Sequence, residues 1–194
     1  MEDRDIATGG TAPPASDATG RRAAAQRLIA DHGKAVFGLC MRELHDRGLA
    51  EDVTQQVFLE AYRDLDRFQQ RSSVRTWLFG IAYHRCLDAH KRMQRRLRRV
   101  ESDESVVAAS EDPGTTPHQR LEDAERRAAL EACLAQLPLE VRATVLTRFQ
   151  TGATYEELAL EFAASADALQ ARVARALVAL RRCMESKGWT GAGE

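Results

Sequence analysis

The chain has 194 residues, 29% charged and 44% hydrophobic, with a formal net charge of −1. That length suits one large domain or two small ones, with enough apolar content for a buried core. No stretch nears the roughly 20 consecutive apolar residues of a membrane-spanning helix, so no membrane insertion is expected. Ala and Leu abound while Gly and Pro are confined to a few places, which favours an all-α fold.

Residues 1–20, MEDRDIATGGTAPPASDATG, begin with acids and lack an apolar run, so they read as a disordered tail rather than a secretory signal. A cytoplasmic protein is expected. Helical spacing predicts a first helix from about Arg21 to Asp46, with Leu28, Ile29, Val36, Phe37, Leu39, Cys40 and Leu44 inward and Gly48 as its breaker. A second helix covers AEDVTQQVFLEAYRDL, with Val53, Val57, Phe58 and Ala61 inward and Glu51 and Asp52 in its first turn. Its Asp52, Gln55, Gln56 and Arg63 share a polar side that could dock a partner helix.

Ser72 or Ser73 can cap a third helix, packed through Trp77, Leu78, Ile81, Ala82, Cys86 and Leu87. The end of this helix is cationic. Residues 84–100 carry Arg85, Lys91, Arg92, Arg95, Arg96, Arg98 and Arg99 against Asp88 alone, a local balance of +6. Such a row can track a phosphate backbone, and Trp77, Phe79, Tyr83 and His84 could stack on unpaired bases. Trp77 taken alone reads more readily as a core aromatic.

Residues 101–116, ESDESVVAASEDPGTT, read as an acidic linker. Thr116 and Pro117 then start a helix carrying Leu121, Ala124, Ala128, Cys133, Leu134 and Leu137. A further helix spans Leu139 to Phe149, and Gln150 to Ala153 form a turn. Thr154 with Glu157 makes a capping box, and Ser165 caps a last helix packed through Leu169, Val173, Ala176, Leu177, Leu180 and Met184. The final pair of helices reads as a helix-turn-helix, with Arg172, Arg175, Arg181 and Arg182 able to reach DNA, or as an ordinary amphipathic pair in a bundle. The four cysteines, without close spacing, read as reduced core thiols, and the histidines lack ligand spacing, so no metal or cofactor is expected. No enzyme constellation is present.

The stretch from Ala50 to Arg92 resembles the second conserved region of bacterial extracytoplasmic-function sigma factors. It carries the pattern as Asp52, Gln55 and Phe58, then Ser73, Thr76, Trp77 and Leu78, then Ile81, Ala82 and Asp88. The stretch from Leu134 to Arg182 resembles their fourth region. The two cover about half the chain. The resemblance implies an all-α protein with a region 2-like domain (21–100), the linker (101–116), a region 4-like helix-turn-helix domain (117–188) and a tail (189–194). It implies a non-enzymatic factor that binds core RNA polymerase at the β′ clamp and β flap and directs it to promoter DNA, with an anti-sigma factor as a further candidate partner. It places Asp52, Gln55, Gln56, Phe58 and Arg63 on polymerase. At the minus-ten element it places Phe68, Ser72, Ser73, Arg75, Trp77, Tyr83, His84, Arg85, Asp88, Lys91, Arg92 and Arg95. At the minus-thirty-five element it places Thr154, Tyr155, Ala168, Gln170, Arg172 and Arg175. By the same resemblance, the loop Phe68–Ser73 helps hold a flipped base, and the acidic linker occupies the polymerase cleft or RNA exit path. The alternative is a sigma-like helix-turn-helix regulator that acts without polymerase.

This chain departs from the family at several positions. His84 stands where Asn is frequent, Ala163 where the turn has Gly, and Ser165 where it has Pro. Asp167, Ala168 and Gln170 replace a small residue, Thr and Lys, so weak binding of the upstream element is expected.

Overall fold

The structure, a computed structural model, describes residues 18–97 and 117–189. The basic residues Arg98 and Arg99, the tail 1–17 and the acidic stretch 101–116 lie outside the described residues. Seven α-helices are described: α1 (Ala18–Leu44), α2 (Arg47–Asp64), α3 (Val74–Leu97), α4 (Pro117–Ala135), α5 (Leu139–Thr151), α6 (Tyr155–Glu161) and α7 (Ala166–Ser186). A 3-10 turn, Leu65–Arg67, follows α2. There is no strand among the described residues.

The helix ends are set by side chains close in sequence. Asp46, rather than Gly48, separates α1 from α2: its carboxylate accepts the Leu49 amide at 2.8 Å. His45 takes a left-handed φ of 54° to turn the chain there. Gly48 therefore sits inside the first turn of α2, and Glu51 and Asp52 fall beyond that turn. Ser73 is the cap of α3, accepting the Thr76 amide at 3.1 Å. Thr154 and Glu157 form the expected capping box, and Ser165 accepts the Ala168 amide. Gly152, at a φ of 70°, ends α5, a conformation that costs glycine little because it lacks a Cβ.

Helices α1, α2 and α3 pack as an N-terminal bundle around Val36, Leu39, Cys40, Val53, Val57, Leu78, Phe79 and Cys86. Each large apolar side chain buried there contributes about 1.5–3 kcal/mol. Helices α5, α6 and α7 form a C-terminal bundle, with α4 lying along α7. The two bundles touch: α3 lies against α5 and α6, and α1 reaches α5. One core cluster runs from Leu28 on α1 through to Val173 and Leu180 on α7.

Several sequence expectations change in this packing. Ile29 and Leu177 fit the helical stripes yet stand exposed, as do Ala124 and Ala128 on the outer half of α4. No neighbouring helix covers those positions. The four cysteines are not all thiols. Cys133 and Cys183 form a disulfide between α4 and α7, because docking α4 along α7 brings their Cα atoms to 5.9 Å. Cys40 and Cys86 remain buried thiols side by side, and the Cys40 contact together with burial pushes the Cys86 thiol far up, keeping it protonated.

Candidate nucleic-acid interface

On α2 the residues Asp52, Gln55, Gln56 and Arg63 are all exposed, so the polar side expected there exists. Phe58 does not belong to it: it is a core residue, 9% exposed, and supports the helix from beneath. Leu59, which periodicity did not single out, stands 56% exposed on the same outer side. It lines an open groove with Gln56, Glu60, Arg63 and Arg85 between α2 and α3. Across that groove Arg85 Nε donates to Glu60 at 2.5 Å, and its Nη1 lies 3.7 Å from Asp88 on the same helix. The Glu60 hydrogen bond raises the Arg85 pKa. The charge of Arg85 thus ties α3 to α2 within this fold.

Phe68 stacks on the half-buried Trp77, with ring centroids 4.8 Å apart, so the loop after α2 is fastened to the start of α3. Arg75 lies over the ring of Phe79, and its Nε is buried without a partner. Phe79 itself is fully buried, which removes it from the aromatics that could meet a base. Farther along, Asp88, Lys91, Arg92 and Arg95 are exposed. Arg92 and Arg95 fold back onto the carbonyls of Asp88 and Lys91, at 3.2 and 3.1 Å, which sets the cations in a row along the helix.

The middle of α3 is covered. Ser72 Oγ donates to Glu161 Oε1 at 3.0 Å, and His84 Nε2 donates to the Glu161 carbonyl at 2.8 Å. Tyr83, 5% exposed, stacks on Phe162 with centroids 4.7 Å apart. In this arrangement Ser72 and Tyr83 face α6 rather than solvent, while His84 bonds to α6 and stays exposed. Burial raises the Glu161 carboxyl above its usual range, with Ser72 and His84 pulling the other way. A second contact joins α1 and α5. Arg142 donates from Nε and NH2 to Glu43 Oε2 at 3.0 and 2.8 Å, with both residues buried. Burial pushes the Glu43 carboxyl up while Arg142 draws it back, and Glu43 Oε1 has no partner.

On the C-terminal pair, Thr154 caps α6 and Tyr155 lies under Arg148. Ala168, Gln170 and Arg175 are exposed on α7, but Arg172 is half-buried and reaches Thr144 at 3.3 Å. The turn between α6 and α7 holds Ala163 at a φ of 48°, a left-handed conformation kept without glycine. Among the described residues, no group of His, Cys, Asp and Glu could hold a metal ion, and no helix is long and apolar enough to cross a membrane.

Residues 28–96 match the Sigma-70 region 2 family. The chain is similar to the ECF RNA polymerase sigma factor SigK of Mycobacterium tuberculosis (strain ATCC 25618 / H37Rv): 33% identical over 159 residues, covering 80% of this chain and 83% of the relative. The chain belongs to the ECF family of RNA polymerase sigma factors. It is also similar to the RNA polymerase sigma-H factor of Pseudomonas aeruginosa, 28% identical over 174 residues, covering 86% of this chain and 89% of the relative. In fold it resembles the sigma factor RpoE solved in complex with the anti-sigma factor NepR from Bartonella quintana. The TM-score there is 0.63 at 21% identity, covering 82% of this chain and 96% of that one. This sigma factor therefore serves transcription initiation with RNA polymerase as its partner. The matched relatives are sigma factors, not enzymes.

Glu43, Arg142, Glu161 and Phe162 were not legible as functional positions. Their roles arise from pairings between residues 77 to 99 positions apart. The one local sign was charge: Glu43 and Arg142 occupy stripe positions of their helices that otherwise carry apolar residues.

Proposed function

We propose that the N-terminal bundle of this sigma factor recognises and melts the minus-ten element and that α6 and α7 read the minus-thirty-five element, as two functional domains joined by residues 101–116. The observation that carries this reading is the exposed cation row Lys91, Arg92 and Arg95, continuing the same helix that holds Trp77, Tyr83 and His84. Phosphate contacts from such a row position the strand, while the aromatic and polar residues upstream of it meet the bases. Taking a base out of the stack costs a few kcal/mol, which neutralised phosphates and a pocket near Phe68 and Ser72 would offset.

Asp52, Gln55, Gln56 and Arg63, with Leu59 among them, form the surface offered to the β′ clamp of core polymerase, and Phe58 anchors it from within. The C-terminal bundle meets the β flap. With Arg172 turned toward Thr144 and Asp167 at the helix start, the upstream contact is weak, and the N-terminal bundle carries most of the specificity. A cytoplasmic setting follows from the polymerase partner. An anti-sigma factor is a fitting regulator, since RpoE of like fold was solved with one.

Run-off transcription with purified core polymerase on genomic promoter fragments tests this. Defined start sites that appear only with the factor support it. DNA binding without any polymerase-dependent start would favour a regulator acting alone. Replacing Lys91, Arg92 and Arg95 with Ala should flatten the log–log salt slope of holoenzyme binding by about 0.9 per lost duplex contact, and less on single strands.

A further inference from the structure

We infer that Gln170 is the residue of α7 that sets which base is read upstream, selecting adenine, and that Ala171 and Ala174 beside it select thymine, so that this chain takes an upstream element centred on A·T pairs. The inference rests on the reading of α6 and α7 given above. Positions i, i+3, i+4, i+7 and i+11 share one strip of a helix. In α7 that strip is Asp167, Gln170, Ala171, Ala174 and Val178, all exposed. The opposite side, Leu169, Val173, Ala176 and Leu180, is buried against the bundle. The strip is therefore the side that the fold turns outward. It holds no Arg or Lys. Arg175 lies at its edge, and Arg181 and Arg182 follow in the later turns, all exposed.

A recognition helix in the major groove meets base edges with its N-terminal residues. From Asp167 to Ala174 the helix rises about 10 Å, roughly three base-pair steps. Within that span the side-chain chemistry selects the bases. A glutamine amide donates and accepts at once, which matches the N6 and N7 of adenine in a bidentate pair. Guanine offers two acceptors there and calls for a cation with several donors, which the strip lacks. The methyl groups of Ala171 and Ala174 neither donate nor accept, and the apolar group they match in the groove is the thymine C5-methyl. Both are small, so the helix can come close to the base edges. The Asp167 carboxylate only accepts, which suits an amino group of cytosine or adenine. Ser165 already caps the helix by accepting the Ala168 amide at 3.3 Å, so Asp167 is not taken up as the cap. Arg175, Arg181 and Arg182 meet phosphates, which position the helix without reading sequence. The upstream contact is thus selective without being strong.

The test uses holoenzyme assembled from the full chain and purified core polymerase. The DNA is a promoter fragment with a defined start site, in which the pairs around position minus thirty-five are randomised, and the bound fraction is sequenced. Wild type should enrich A at one position flanked by A·T pairs. Gln170→Arg should turn that position from A to G, by about tenfold in relative enrichment, and leave its neighbours as they were. Gln170→Ala should flatten that position alone. Gln170 is exposed, so neither change should disturb the fold, which helical circular dichroism checks. Alanines at Arg175, Arg181 and Arg182 should weaken binding to all sequences alike. Base preference that is unchanged in both Gln170 variants, while those alanines weaken binding, overturns the assignment of Gln170 and leaves the helix-turn-helix reading intact. A wild type that enriches no base upstream, or that enriches G·C pairs, overturns it as well. If the alanines then also leave binding unaltered, the reading of α6 and α7 fails with it.

Discussion

The bundles meet along several helices, and two of these contacts are built differently. Between α1 and α5, Glu43 and Arg142 form a fully enclosed ion pair, 0% and 6% exposed, that continues the core. Between α3 and α6, Phe162 is buried against Tyr83, while the half-buried Glu161 takes hydrogen bonds from Ser72 and His84. A buried ion pair is hard to break because each charge, once alone, remains out of water. The two hydrogen bonds at Glu161 lie where water can replace them. The α1–α5 contact is thus the structural joint, and the hydrogen bonds between α3 and α6 are the weaker part.

The sharpest way to break this contrast is at the joint. Arg142→Ala leaves the Glu43 carboxylate enclosed without its cation and should lower stability by about 3–5 kcal/mol in urea unfolding. Replacing both partners, Glu43→Leu with Arg142→Met, should recover most of that loss, because neither charge is then stranded. If Arg142→Ala proves harmless, the joint is no firmer than the hydrogen bonds between α3 and α6.

Reduction of the Cys133–Cys183 disulfide comes next. Its residues are 50 positions apart, so loop closure in the unfolded chain predicts a loss of about 2–4 kcal/mol with reductant or with Cys133→Ser and Cys183→Ser. The loss should show in the melting of the whole chain, since the two bundles share one core cluster.

A smaller effect is expected at the turn between α6 and α7. Ala163 carries a Cβ at a φ of 48°. Ala163→Gly should relieve about 0.5–1 kcal/mol of strain, net of the extra freedom glycine has when unfolded. A thermal melt measures it, and a loss of stability would mean that the turn is not strained.

The α3–α6 contact should also respond to acid. Burial against α3 raises the Glu161 carboxyl, so this packing favours its protonated state. The unfavourable burial of its charge is absent below the ordinary carboxylate value of 4.5 and is fully present once pH rises through the raised value. Urea unfolding should find the stability difference between wild type and Glu161→Ala moving in favour of wild type as pH falls through that window. The smallest stability change belongs to the polymerase side: Asp52→Arg on exposed α2 should shift stability by under about 0.5 kcal/mol while weakening core binding in a titration.

The helices and their caps were legible in the sequence because they depend on neighbours three or four residues away. Ser73, Thr154 with Glu157, and Ser165 cap as their positions predict. The all-α class followed from the same short-range regularity, whereas the region 2 pattern was legible as a family resemblance. The α1–α2 boundary was misplaced because a breaker, Gly48, was weighed above a capping carboxylate, Asp46. Which stripes became core was decided only in three dimensions: Ile29 and Leu177 have the right spacing but no helix over them, whereas Phe58 went inward as its spacing predicts. The Cys133–Cys183 bond, the Glu43–Arg142 joint and the covering of Tyr83 by Phe162 join residues that periodicity treats as unrelated. Spacing along a helix says which face a side chain takes; only the packing of that face against a distant segment says what it meets.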